Sequence, residues 1–231
     1  LKVTFTAPLF MEDLKLLSRP VNYLTYSVAA RDGREHEVEV YFEASPRWAL
    51  DQPYQQSASK GYEADGLLYL KSGSKEQNIL AKQGDDLRID WGYFYMVAGK
   101  ENTAYSVGNS TELRKNFVNG TLNSASLEGE DSNGNMALVR SHGKVKNVTD
   151  KIMLGYDDIY SIQYFGTNLR PYWNSKGDRT IEAEMLAAYN EYDKLLARCY
   201  AFDKKLMEDA SAAGGKEYAE LCALAYRQSI A

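Results

Sequence analysis

Residues 178–215 read DRTIEAEMLAAYNEYDKLLARCYAFDKKLMEDASAAGG, and the spacing of their apolar positions decides the fold. Ile181, Met185, Leu186, Tyr189, Tyr192, Leu195, Leu196, Cys199, Phe202 and Leu206 recur every three to four residues, the rhythm of one helix face. Asp178 or Thr180 can cap the start by offering a side-chain oxygen to the first free N–H groups. Glu182 and Glu184 sit favourably near the positive end of the helix dipole. Gly214-Gly215 stops the helix. A second helix begins near Lys216 and carries Tyr218, Leu221, Cys222, Leu224 and Ala225 on one stripe, so the pair reads as an αα-hairpin. A lone hairpin cannot bury both apolar stripes; the preceding residues, or helices outside this chain, must cover them.

Upstream, from residue 1 to about 173, the chain reads as strands and turns. Residues 21–30 and 36–44 flank Arg31-Asp32-Gly33-Arg34, and Asp-Gly between two β-rich runs predicts a hairpin. In the second run His36, Val38, Val40 and Phe42 alternate with Glu35, Glu37, Glu39 and Tyr41, which predicts one buried and one wet face. His36 falls in line with the apolar set and is expected to be a core or strand-end residue with a satisfied ring. Further strands are predicted at 66–71, 87–97, 136–140, 152–154 and 159–165. Short helices are predicted at 110–117 and at 12–17, the latter ended by Pro20. Repeated short strands punctuated by Gly, Asn, Asp and Ser indicate an all-β sandwich. The expected fold is therefore mainly β: a β-sandwich domain over residues 1–176, then a helical hairpin over 177–231 that begins an all-α domain. Residues 171–177 are the expected boundary.

Composition narrows the function. The formal net charge of -5 argues against a nucleic-acid or anionic-membrane surface, which would need a basic footprint. No apolar run is long enough to span a bilayer. Tyr is over-used, with 18 residues against 7 Phe. That suits half-buried strand packing, because the ring can be buried while the hydroxyl keeps a partner; a sugar-binding face is the sharper alternative. Cys199 and Cys222 lie unequally far from the Gly214-Gly215 turn, so both are expected to be unpaired, small buried apolar residues. The start without Met and the stop inside a helical pattern lead us to expect a piece of a larger protein.

The most polar cluster runs Gly84-Asp85-Asp86-Leu87-Arg88-Ile89-Asp90-Trp91-Gly92-Tyr93. Asp86, Arg88 and Asp90 could hold the polar ends of a small substrate, with Trp91 shaping the pocket. The plainer reading is a turn at Gly84-Asp85 and a strand with an outward ion pair; it weighs more, because surface carboxylates are mostly solvated. Neither His36 nor His142 lies in a nucleophile motif, and no G-x-S-x-G occurs. Asp157-Asp158 are expected in a turn, because adjacent strand residues face opposite ways. No metal-ligand spacing and no nucleotide-binding glycine pattern is present, so no cofactor is expected. Asn109-Ser110-Thr111, Asn119-Gly120-Thr121 and Asn147-Val148-Thr149 match the glycosylation sequon.

Several ordered stretches together resemble one family. They are Val3-Thr4-Phe5-Thr6-Ala7-Pro8, Glu12-Asp13-Leu14, Leu17-Ser18-Arg19-Pro20-Val21, Val38-Glu39-Val40-Tyr41-Phe42-Glu43-Ala44-Ser45, residues 84–93, Tyr218-Ala219-Glu220-Leu221 and Ala225-Tyr226-Arg227-Gln228. The set is similar to the glutaminase A family of fungi and gut-type Bacteroidetes, with the Bacteroidetes type as our expectation. The resemblance implies an amino-terminal β-sandwich followed by a central domain of six helical hairpins. It implies hydrolysis of L-glutamine to L-glutamate and ammonia in an extracellular or periplasmic setting, outer-membrane association included. It supplies no catalytic residues that can be carried over. The partners it implies are a small-molecule substrate, amino acid or sugar, and the rest of the protein's own helical domain. A glycan-processing hydrolase with the same layout, and a purely structural or binding module, are the alternatives.

Overall fold

The computed structural model describes residues 1–85, 88–122 and 134–230. Eleven strands are present among them: β1 (Lys2–Thr6), β2 (Val21–Ala29), β3 (His36–Ala44), β4 (Ser57–Ala64), β5 (Leu67–Ser74), β6 (Tyr93–Gly99), β7 (Thr103–Gly108), β8 (Asn135–Val145), β9 (Asn147–Asp157), β10 (Ile162–Tyr164) and β11 (Thr167–Leu169). Two short helices, α1 (Leu14–Ser18) and α2 (Ser110–Val118), and a long helical segment, α3 (Ile181–Ile230), complete the chain. The strands form a six-stranded sheet in the order β1-β2-β9-β6-β5-β4, a three-stranded sheet β3-β8-β7 and a separate β10-β11 hairpin, all antiparallel. The protein is thus mainly β with a helical carboxy-terminal part.

Two cores flank the six-stranded sheet. On one face Leu24 and Tyr26 of β2, Leu70 of β5, Phe94 and Met96 of β6 and Ile152 of β9 pack with Met136 and Leu138 of β8 and Val107 of β7. The two sheets therefore lie face to face. On the other face Val21 and Tyr23, Leu67 and Tyr69, Tyr95 and Val97, and Met153 pack with Ile181, Met185, Ala188, Tyr192, Leu195 and Cys199 of α3. Strand alternation sorts the side chains: in β2 positions 21 and 23 face the helix, while 24 and 26 face the second sheet. The helical periodicity read from residues 181–206 is the stripe that docks here.

Tyrosine is suited to this sheet–helix boundary, where rings are buried but polar atoms remain to be paired. The Tyr23 hydroxyl donates to the Ala188 carbonyl at 3.0 Å, and burial pushes its pKa up to about 12. The Tyr192 hydroxyl lies 2.6 Å from Thr25 Oγ1. Lys151 covers the rings of Tyr189 and Tyr192 at 4.1 and 4.5 Å. Glu184, 4 % exposed, accepts from Arg19 Nε at 3.2 Å and also pairs with Arg179. Thr180 caps the helix, its Oγ1 accepting from the Ala183 N–H at 3.2 Å. At the contact point β9 carries Gly155, where an added Cβ would lie 2.5 Å from the Pro20 carbonyl oxygen and 2.2 Å from Met185 Cε. The methionine can move; the backbone carbonyl cannot.

Helix α3 is broken at Gly215, with φ 82° and ψ -175°. Phe202 and Tyr226 ring centroids lie 5.0 Å apart. A straight helix would separate them by roughly 36 Å at its ordinary rise. The chain therefore doubles back, as the Gly214-Gly215 pair predicts. The Tyr226 hydroxyl reaches the Leu9 carbonyl at 2.8 Å. Both cysteines are free.

Four expectations need correction. β2 and β3 do not pair: β2 joins β1 and β9, whereas β3 joins β8 in the other sheet. The Arg31–Arg34 turn, with Gly33 at φ 71°, is a crossover between layers. The strand expected at 87–97 begins only at Tyr93; Leu87 lies outside the described residues, and Gly92 at φ 77° turns the backbone before pairing starts. The strand expected at 159–165 is instead the first half of the β10–β11 hairpin, with Phe165 and Gly166 both at positive φ in its two-residue turn. Cys199 is buried as expected, but Cys222 is only half-buried. His36 stands exposed at the start of β3, its Nε2 2.9 Å from Asp32 Oδ1, which is the strand-end case of its reading. In the sequence Asn133-Gly134 reads as introducing the run at 136–140; Asn133 lies outside the described residues.

Substituting Gly155→Ala should lower unfolding free energy by about 1–3 kcal/mol, because the new methyl meets fixed backbone. Urea unfolding of the two proteins checks this.

Candidate functional site

The predicted cluster falls apart into different environments. Asp86 lies outside the described residues. Arg88 is exposed and makes no ion pair among the described residues. Asp90 is only 1 % exposed, contrary to the expectation of a solvated outer face. Its Oδ2 accepts from Lys82 Nζ at 2.7 Å and from Gln55 Nε2 at 2.9 Å. Lys82 also reaches Asp51 Oδ2 at 2.9 Å, and these two carboxylates push the lysine pKa up. Gln55 Oε1 in turn accepts from the N–H groups of Asp51 and Gln52. Asp90 Oδ1 has no hydrogen-bond partner among the described residues. Asp90 thus pins two loops together. Trp91 is buried, its indole N–H donating to the Tyr160 carbonyl at 2.9 Å, while its own carbonyl accepts from Tyr156 Oη at 2.5 Å. Arg88, Asp90 and Trp91 do not converge on one opening.

The strand that follows, β6, leads to a second cluster that the sequence reading passed over. At one end of the six-stranded sheet, on the face that carries α3, Lys60 of β4 sits directly opposite Lys71 of β5. Lys71 is opposite Tyr95 of β6, and Tyr93 of β6 is opposite Asp157 of β9. Lys71 Nζ lies 3.5 Å from the Tyr93 ring centroid and 5.7 Å from that of Tyr95. No hydrogen-bond acceptor meets this ammonium among the described residues. Burial lowers its pKa, and the neighbouring Lys60 lowers it further. Asp157 Oδ1 accepts from the Ile159 N–H at 3.0 Å; burial raises the pKa of this carboxyl. Glu182, in the first turn of α3, accepts from Tyr62 Oη at 2.6 Å. The rings of Tyr62 and Tyr69 stack at 5.0 Å.

Asp157 ends β9 and Asp158 follows it into the turn, where Asp158 Oδ2 accepts from Ser161 Oγ at 2.5 Å, in keeping with the turn use expected of the pair. What the sequence offers for the second cluster is alternation. Lys71 and Asp157 end the faces begun by Leu67-x-Tyr69 and Met153-x-Gly155. A charged residue closing an otherwise buried stripe is the available signal.

A cleft of about 520 Å³ lies elsewhere, between β1 and the helical hairpin, lined by Phe5, Phe10, Leu196, Phe202 and Tyr226 among others. Its walls are largely aromatic and aliphatic. Among the described residues no group of three or more His, Cys, Asp or Glu side chains is placed to hold a metal ion, and no helix is long and apolar enough to cross a membrane.

A family described as a domain of unknown function, DUF5127, matches residues 1–209, which take in the eleven strands and most of the first arm of α3. The chain belongs to the DUF5127 family. Glutaminase A of Aspergillus oryzae (strain ATCC 42149 / RIB 40) is 27 % identical to this DUF5127 chain over 248 aligned positions, covering 100 % of the chain and 35 % of the relative. The chain thus spans about a third of that relative's length. That the relative is fungal leaves the Bacteroidetes expectation without support from it.

Substituting Lys82→Met should lower the denaturant midpoint of this DUF5127 chain, because it strips the Asp90 carboxylate of its cation while leaving it buried. Arg88→Ala should stay within about 0.5 kcal/mol. Denaturant midpoints of the two variants, compared at equal slope, test the contrast.

Proposed function

We propose that this chain is the β-rich part of a longer glutaminase A-like amidohydrolase that converts L-glutamine to L-glutamate and ammonia. The observation that carries the proposal is the similarity to Glutaminase A along the whole chain. On this reading residues 1–176 form a β-sandwich domain and residues 177–231 open an all-α domain of helical hairpins. The exposed apolar positions of the second helical arm support the layout: Tyr218, Leu221 and Leu224 are 47, 61 and 53 % exposed and lie on one stripe. Such a stripe suits further helices of the same protein. A setting outside the cytoplasm, periplasmic or extracellular, belongs to the same proposal and is carried by the family resemblance alone. No cofactor and no nucleic acid takes part in it.

Amide hydrolysis needs a nucleophile or activated water, a base and an oxyanion stabiliser at one point. Among the described residues these three are not assembled, so the chemistry is assigned to the longer protein and the isolated chain is expected to be inactive. That lack of an assembled set also favours the second reading, in which the sandwich only supports and orients its helical partner.

The test is an assay of the full-length parent protein. Ammonia release from L-glutamine is expected, with none from the 231-residue chain alone. Sugar release from glycans without ammonia release would transfer the proposal to a glycan-processing hydrolase. Loss of at least tenfold in the parent's rate on changing Asp90, equal to about 1.4 kcal/mol in the barrier, in a variant whose denaturation midpoint is unchanged, would bring the loop cluster into the reaction.

A further inference from the structure

Four polar side chains close one end of the core between the two sheets, and none of them has a part in the proposed hydrolysis. Asp150 continues the inward stripe of Ile152 and Leu154 in β9, and Arg140 and His142 continue that of Met136 and Leu138 in β8. Tyr26 of β2 stands directly opposite Asp150 in the six-stranded sheet. Tyr26 is 1 % exposed, and the His142 side chain is 11 % exposed. Arg140 Nε and Nη2 lie 2.9 and 2.7 Å from Asp150 Oδ2. Its Nη1 donates to the Gly99 and Glu101 carbonyls, each at 2.6 Å, and to Thr103 Oγ1. The Tyr26 hydroxyl lies 2.8 Å from His142 Nε2 and 3.2 Å from Asp150 Oδ2. His142 sits at a β-bulge: Glu37 and Glu39 of β3 are opposite Lys144 and Ser141, two steps against three, and Gly143 takes φ 61°. A bulge bends its strand and re-aims a side chain.

A tyrosine has one proton to donate, and here it stands between two acceptors. If His142 offers a lone pair at Nε2, the proton goes to the ring and Asp150 is left facing a hydroxyl lone pair. If Nε2 carries a proton, His142 donates to Tyr26 and Tyr26 donates to Asp150, so both contacts are hydrogen bonds. The second order satisfies every group and selects the Nε2–H tautomer. The nitrogen left to take up a proton is Nδ1, which has no protein partner among the described residues. Charge counting points the same way. With the ring neutral, Arg140 and Asp150 balance. A proton on the ring adds a third charge, 4.0 Å from a carboxylate oxygen already held by two guanidinium nitrogens. Burial lowers the pKa of the ring; Asp150 raises it and Arg140 lowers it. From β3, Val40 and Phe42 turn inward, which sets Glu37 and Glu39 on its other face.

We propose that His142, Tyr26, Asp150 and Arg140 form an acid-sensitive latch between the two sheets. With His142 neutral the latch is closed and ties β8 to β2 and β9. A proton taken up at Nδ1 leaves an unbalanced charge at the end of the core, and the latch gives at the His142-Gly143 bulge. In the unfolded chain the same ring is solvated and takes the proton more readily. Stability is therefore fully present above the ordinary histidine value of ~6.5 and is lost as pH falls below it. The latch stands whether or not the parent protein hydrolyses L-glutamine.

Denaturant unfolding of the 231-residue chain at about pH 7.5 and about pH 5.5, on either side of the histidine range, tests the proposal. The midpoint is expected to fall at the acid end in the native chain and in His36→Gln, which removes the other histidine. In His142→Gln, whose amide can still donate to Tyr26 but cannot titrate, the fall should be less than half as large. Native-state hydrogen exchange, corrected for the intrinsic rate, should show the β8 amides of residues 136–142 opening at least threefold more often at the acid end, while those of β5 keep their protection. The His142 ring signal, assigned in the proton spectrum of His36→Gln, should titrate below ~6.5. The exchange and the titration decide the matter even if His142→Gln does not fold. Titration of His142 at or above that value overturns the proposal. So does a midpoint in folded His142→Gln that falls as far as the native one, or β8 opening that is unchanged by acid.

Discussion

A sheet whose strands carry large side chains on both faces must be covered on both, and that requirement organises this molecule. In β2 Tyr23 and Tyr26 are both almost fully buried yet point in opposite directions. The same holds for Tyr69 and Leu70 in β5 and for Tyr95 and Met96 in β6. The three-stranded sheet supplies one cover. The first arm of α3 supplies the other, seated by Gly155 and held in register by Glu184 between Arg19 and Arg179. Each large apolar side chain buried in this way contributes about 1.5–3 kcal/mol, so an uncovered face would outweigh the stability of an ordinary domain. The first helical turns therefore belong to the same core as the sheet.

This arrangement accounts for the tyrosine excess. Tyr23, Tyr62, Tyr69, Tyr95, Tyr189 and Tyr192 all belong to the sheet–helix core or pack on its edge. A phenylalanine there would bury a similar ring but could not satisfy the Ala188 carbonyl or pair with Thr25 and Glu182. The polar end of the interface, where Lys71 and Asp157 lie, is where the helix begins and the sheet face opens toward solvent. Packing, and the charges that packing leaves unpaired, are two consequences of one boundary.

The parts of the fold legible in the sequence were those set by local periodicity. The spans of β2 and β3 and the start of α3 lie within a residue or two of their reading, because alternation and helical spacing are written into adjacent residues. Partnering was not legible. Asp32-Gly33 specifies a tight turn but says nothing about whether the chain re-enters the same sheet, and here it crosses to the other. Gly92 broke the strand expected at 87–97 through a positive φ that alternation does not report. The site suffered most. Asp90 looked like a surface carboxylate because its cation, Lys82, and its amide partner, Gln55, come from separate loops. Lys71 and Asp157 are distant in sequence and meet only through the pairing of β5, β6 and β9.

Native-state hydrogen exchange tests the shared core most directly. If α3 is the obligatory second cover, the amides of residues 185–199 open only together with those of β2 and β9, with one common free energy and one common response to denaturant. Exchange of that helical arm at a much lower free energy, while β2 and β9 stay protected, would show that the sheet stands without it and contradict the account.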